Sequence, residues 1–266
     1  MTMTHIAPDS APMTATFRFH AELNDFLPAA RRGIATVHAL PLPTTVKDAT
    51  ESQGVPHVEV GAVLVDDLPS SLDRPLHGDE RVDVFPRFSP RLHDLPTVPR
   101  LPDPRRFVLD VHLGTLARRL RLLGFDTWYR TQADDEELAV VSAGQRRVLL
   151  TRDIGLLKRS MVVHGAWVRA TDPAVQTLEV VDRFDLGTRL APYSRCIRCN
   201  GVLRPAADAE VEQHVPPRAR ADHDVFHLCD SCGQAYWRGS HTNALDDVID
   251  QIRRHVSRRE GRPSLD

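Results

Sequence analysis

Four cysteines, grouped as Cys196/Cys199 and Cys229/Cys232, are the only cysteines in the 266 residues. Two thiolates on one tight turn grip one face of a metal ion, and a second such turn completes a tetrahedral four-sulfur site. The flanking segments Arg195–Gly201 and Cys229–Gln234 read as knuckle turns, with Gly201 and Gly233 placed to take a left-handed backbone beneath the sulfurs. Two disulfides or four inert core thiols are the alternatives. Met1–Pro12 carries no basic segment followed by an apolar run, and without a secretory signal disulfides are not expected. A redox site would need only one Cys-x-x-Cys pair. Structural Zn²⁺ bound by Cys196, Cys199, Cys229 and Cys232 is therefore the expectation.

The remainder of the chain divides by composition. Residues 1–104 hold 9 Lys+Arg against 14 Asp+Glu, a net of −5, whereas residues 105–190 hold 14 against 11, a net of +3. An acidic front joined to a mildly basic middle places any nucleic-acid partner on the middle. No apolar run approaches the ~20 residues that span a bilayer, so no membrane association and a cytoplasmic location are expected.

Thr14–His20 alternates as a half-buried strand, Val46–Ser52 reads as a short helix, and Val58–Val65 and Val82–Phe85 read as further strands. Five prolines in Ser89–Arg105 mark a stiff linker. Phe107–Leu109 is a short strand. It is followed by Leu113, Leu116, Ala117, Leu120 and Leu123 at helical spacing, closed by Gly124. Phe125–Tyr129, Val148–Thr151 and Ala166–Ala170 are further strands, with one helix opening at Asp134 between the first two and another opening at Asp172-Pro173 after the last. This alternation predicts a parallel sheet flanked by helices. The predicted division is 13–88, a small β-rich domain; 89–105, linker; 106–190, an α/β domain; 191–241, the cysteine module; and 242–266, a charged helical tail.

Ligands of an open parallel sheet sit at the carboxyl ends of its strands. Asp110 follows the first central strand and Asp153 the third, and Asp135 lies in the first turn of the helix between them. Three converging carboxylates repel one another unless a divalent cation lies among them, and Mg²⁺ or Mn²⁺ prefers such oxygen ligands. Arg118, Arg119, Arg152 and Lys158 could meet phosphates. Singly, each aspartate has a plainer reading as a cap or first-turn charge. Asp134 competes with Asp135, with Asp134 preferred as cap and Asp135 as ligand; Asp172 could be a fourth acidic member, though N-capping accounts for it unaided. Trp237 and Arg238 could stack a base and meet a phosphate, against the alternative that Tyr236 and Trp237 furnish a small core.

Three blocks of the middle carry a resemblance: Asp110-x-His-Leu-Gly114 continuing to Gly124, then Asp135-x-x-Leu138, then Arg147 to Asp153. With Cys196-x-x-Cys-Asn-Gly201, Val215-Pro-Pro217 and Cys229-x-x-Cys-Gly-x-x-Tyr-Trp, residues 105–241 resemble the Mut-seven C-terminal ribonuclease family, a PIN-like nuclease group. The front, through Phe17-Arg-Phe, Gly54-Val-Pro-His-Val-Glu59 and Gly78 to Pro86, resembles a ubiquitin-like β-grasp domain of the ThiS/MoaD type, as found fused to this family. No terminal Gly-Gly follows Phe85-Pro86, which disfavours sulfur-carrier chemistry and leaves a docking role toward a protein partner. The resemblance implies a multidomain chain of α+β and α/β class: a β-grasp domain, a PIN-like parallel sheet and a zinc ribbon. It also implies Mg²⁺-dependent RNA hydrolysis, with Asp110, Asp135 and Asp153 on the acidic positions. The 29 residues between Cys199 and Cys229 predict a long excursion in the ribbon. A non-catalytic RNA-binding or adaptor protein built from the same modules is the alternative.

Overall fold

The computed structural model describes residues 13–41, 43–87, 99–103, 105–237 and 243–260. The chain forms two compact units, Met1–Arg100 and Leu101–Asp266. The predicted proline-rich linker falls largely outside the described residues. Among the described residues no helix is long and apolar enough to cross a membrane.

The first unit is a five-stranded mixed sheet. Its strands are β1 (Thr14–Phe19), β2 (Thr36–Ala39), β3 (Val60–Val65), β4 (Leu68–Ser70) and β5 (Arg81–Pro86), in the order β2-β1-β5-β3-β4. β1 and β5 run parallel and the other pairs antiparallel. The alternation read in β1 is real, since Ala15, Phe17 and Phe19 are buried. They pack with Val46 and Ala49 of helix α1 (Val46–Ser52) in one core. α1 starts where Thr45 accepts a hydrogen bond from Asp48 N at 3.1 Å, capping its first turn. β2 and β4 were not anticipated. Both are short edge strands, and β4 turns back on β3 through Asp66 and Asp67, both at positive φ, the backbone of a two-residue hairpin.

The second unit carries the predicted parallel sheet. Its strands β6 (Phe107–Leu109), β7 (Thr127–Trp128), β8 (Val148–Thr151) and β9 (Gly165–Trp167) lie in the order β7-β6-β8-β9. β6 and β8 are buried at every position, as strands covered on both faces must be. Helices α2 (Gly114–Leu122), α3 (Asp135–Gly144), α4 (Ile154–Leu157) and α5 (Pro173–Arg183) connect and follow the strands. α2 ends as predicted at Gly124, at φ +98°. Gly124 N donates to Arg121 O and Phe125 N to Leu120 O, the paired bonds of a Schellman cap. Asp134 caps α3 through Glu137 N at 2.8 Å, and Asp172 caps α5 through Ala174 N and Val175 N.

The cysteine module is a three-stranded antiparallel sheet, β10 (Leu203–Pro205), β11 (Phe226–Cys229) and β12 (Ala235–Trp237), in that order. The long excursion contains α6 (Asp208–His214) and α7 (Pro217–Asp222), whose Val215 connection is buried with Phe226, Leu228 and Ala235. The predicted charged tail is helical, α8 (Asn243–Glu260), but it is docked rather than free. Ile249 and Ile252 are buried, Asp182 of α5 takes both His255 (2.8 Å) and Arg259 (2.9 Å), and Tyr193 donates to Asp246 at 2.6 Å. Gly187 lets α8 approach closely, since a Cβ there would sit 2.6 Å from Val256 Cγ1.

Candidate functional site

The four cysteines are free thiols whose Sγ atoms lie within 4.8 Å of one another, with Cys196–Cys232 at 3.8 Å and Cys199–Cys229 at 3.4 Å. A tetrahedron with ~2.3 Å metal–sulfur bonds needs sulfurs about 3.8 Å apart, so the quartet has the spacing of a metal site. Both knuckles have the same backbone. Cys196 N donates to Gly201 O and Cys229 N to Gln234 O, while Asn200 N and Gly233 N return to the first cysteine's carbonyl. The residue directly after each pair is left-handed, Asn200 at φ +72° and Gly233 at φ +68°. At the first knuckle this role belongs to Asn200 and not, as expected, to Gly201. Gly201 is needed for proximity instead: a Cβ there would lie 2.8 Å from Cys229 Sγ.

Crowding decides how the thiols ionise. Burial opposes ionisation of Cys196, but the Tyr236 hydroxyl at 3.1 Å and nearby backbone N–H groups outweigh it and bring its pKa to about 7. Burial and the adjacent sulfurs push Cys199 up to about 12 and raise Cys232. Four thiolates cannot crowd together unless a cation compensates them, and an all-sulfur tetrahedral set is the kind that zinc accepts.

Several side chains that sequence reasoning left without a role fasten this module to the parallel sheet. Asn200 accepts from Thr127 N at 2.9 Å and donates to Asp126 at 2.7 Å. Asp126 also takes Arg147 at 2.7 Å and lies 3.8 Å from Arg195. Arg121 of α2 is buried. Its Nε donates to Thr127 O, and its Nη1 donates to the carbonyls of Ile197 and Arg198 between the two cysteines. Burial lowers the Arg121 pKa, an effect that Cys199 and Cys196 oppose. Across the joint, Asn200 and Arg121 reach partners 73 to 77 residues away in sequence, so no local pattern announces them.

The acidic residues occupy the carboxyl edge of the sheet. Asp110 follows β6, Asp153 lies two residues past β8, and Asp135 opens α3 after the loop leaving β7. Thr151 joins two of them. Its hydroxyl donates to Asp110 Oδ2 at 2.7 Å and accepts from Asp153 N at 2.9 Å. Asp110 and Thr151 are buried. The three carboxylates do not, however, close into one ion-sized cluster; among the described residues only the cysteine quartet does. Each aspartate is held by its own neighbour. Asp153 caps α4 through Gly155 N at 2.7 Å, Asp135 pairs with Arg159 at 3.7 Å, and Asp110 faces Thr151. Thr151 was visible in the sequence only as the one polar residue ending an apolar strand.

The expected phosphate contacts divide. Arg118 is exposed on α2, whereas Arg119 buries its Nη1 without a hydrogen-bond partner among the described residues. Arg152 is engaged as a strut, donating to the carbonyls of Val168, Arg169 and Ala170. Lys158 is the C-cap of α4. Trp237 is half-buried against Phe226, with ring centroids 6.2 Å apart, and so furnishes part of the ribbon core. Arg238 lies outside the described residues.

A family model described as Mut7-C RNAse domain matches residues 105–249, more than half of the chain, and one described as Mut7-C ubiquitin matches residues 12–91. No curated protein and no solved structure is matched.

Proposed function

The chain belongs to the Mut7-C RNAse-domain family, with the ubiquitin-like domain of that family at its front, and on that premise we propose that it is a divalent-metal-dependent ribonuclease hydrolysing RNA phosphodiesters at the carboxyl edge of the parallel sheet. The observation that carries this reading is the linkage of Asp110 and Asp153 through the buried Thr151 hydroxyl, on a rim that Asp135 also borders. These carboxylates supply the oxygen donors that Mg²⁺ or Mn²⁺ takes. Such a cation, when bound, polarises a phosphodiester and generates a water nucleophile. Thr151 orients the Asp110 carboxylate, and Asp153 stands at the start of α4 with its backbone fixed by the same hydroxyl.

The working modules in this reading are 13–88, 106–190 and 191–241, the last holding a structural zinc at Cys196, Cys199, Cys229 and Cys232. Four free thiols fit a reducing, cytoplasmic setting. The ubiquitin-like domain serves as a dock for a protein partner. That the carboxylates do not close into one cluster favours a second reading, a non-catalytic RNA-binding adaptor. One variant separates the two. Asp153→Asn should abolish Mg²⁺-dependent cleavage of single-stranded RNA by at least ~100-fold while RNA binding persists. Cleavage by the variant equal to that by the native chain rejects the nuclease.

A further inference from the structure

Beside the joint between α2 and the first cysteine knuckle lies an open groove of ≈ 380 Å³, lined by Arg118, Arg121, Arg130 and Arg198 together with Tyr129. Among the described residues no carboxylate lines it. Three separate segments supply the arginines: α2, the loop between β7 and α3, and the turn between Cys196 and Cys199. They are not equivalent. Arg121 is spent on carbonyls and Arg130 is paired with Glu137, whereas the exposed side chains of Arg118 and Arg198 enter no hydrogen bond or ion pair among the described residues. Two unpartnered guanidinium groups facing one groove repel each other. A dianionic or polyanionic ligand relieves that repulsion, and the planar fork of arginine matches phosphate oxygens.

The groove also has a direction. Tyr129, in its wall, donates its hydroxyl to Val111 O at 2.9 Å, one residue past Asp110. Its ring lies so close to the start of α2 that a Cβ on Gly114 would sit 2.6 Å from the Tyr129 hydroxyl. The arginine-lined wall therefore continues into the segment that leaves the acidic rim.

We propose that this groove binds the phosphodiester backbone of single-stranded RNA, with Arg118 and Arg198 as its phosphate contacts, and leads the strand toward Asp110. The choice of RNA as ligand rests on the nuclease reading, but the groove itself does not. Its volume suits a nucleotide-sized stretch of chain rather than a folded domain, clefts for small ligands spanning roughly 300–1,000 Å³. Tyr129 adds an aromatic wall beside the cations, the combination found where single strands are held without sequence preference. Arg198 also gives the cysteine module a task beyond folding: it carries one of the two phosphate contacts between its own metal ligands.

The test uses the full chain in the Asp153→Asn background, so that binding is read without turnover, and a short 5′-fluorescein oligouridylate followed by anisotropy across a salt series. Arg118→Gln/Arg198→Gln should bind roughly tenfold more weakly. The slope of log K against log salt should fall by about 1.4, at ~0.7 per phosphate contact on a single strand. Arg253→Gln/Arg254→Gln on α8, outside the groove lining, removes the same charge and should leave the slope unchanged. Should Arg198→Gln lower the zinc content, Arg118→Gln alone carries the test, with a slope change of ~0.7. Unchanged affinity and slope in the groove variants, or displacement of the RNA by polyglutamate as readily as by unlabelled RNA, overturns the proposal. An Arg118-dependent binder whose native form never cleaves RNA refutes the nuclease and leaves the groove standing. Cleavage with kcat/KM undiminished by the groove substitutions refutes the groove and leaves the nuclease.

Discussion

Asp126 does more at the residue scale than its place between α2 and β7 announced. It receives Arg147 and Asn200 at 2.7 Å each, and so holds the first cysteine knuckle against β7. Burial works against its ionised form, yet the hydrogen bonds from Arg147 and Asn200 outweigh burial and depress its pKa. A depressed carboxylate stabilises the fold fully above its unfolded pKa of about 3.9, and that contribution disappears as pH falls through the lower folded value. Asp126→Asn should therefore cost about 2 kcal/mol at neutral pH. The gap between variant and native chain should narrow below about pH 4, as read from denaturant midpoints over a pH series. A gap constant from pH 7 to pH 3 contradicts this account. The cysteines were legible because their ligand spacing is local. Asp126, Asn200, Arg121 and Thr151 were not, because each acts on a partner 21 or more residues away.

Elements were legible in proportion to how strongly burial patterned them. The fully buried β6 and β8 stand out as apolar runs, and α1 and α5 carry both a capping residue and an apolar stripe. β7 shrank from the expected Phe125–Tyr129 to two residues, because Phe125 is taken up by the cap of α2 and Tyr129 turns toward Val111. β2 and β4 were missed because edge strands of three or four residues carry little periodic signal. α8 shows a third case, since its expected helical, charged character was legible whereas the burial of Ile249 and Ile252 in the core was not. Ile252→Ala should cost about 3 kcal/mol and expose α8 to limited proteolysis while 13–87 stays intact. Proteolysis no faster than in the native chain would mean that the polar contacts of Asp182 and Asp246 retain the helix.

For the whole molecule, the cysteine module reaches the parallel sheet through polar bonds that depend on the knuckle keeping its shape. Metal analysis should find one zinc per chain. All three tryptophans, Trp128, Trp167 and Trp237, lie in the unit 101–266, so their fluorescence reports that unit alone. Stripping the metal should lower its melting temperature by roughly 10 °C, taking about 4 kcal/mol for a tightly held ion at 2–4 °C per kcal/mol. A melting curve indifferent to chelation, or a stoichiometry near zero, removes the structural metal from the account.

Arg121 grips the knuckle through main-chain oxygens of residues 197 and 198, never through their side chains. Inheritance can therefore rewrite position 198 without loosening the joint beneath it. A substitution there changes the side chain offered to solvent while the architecture stands still.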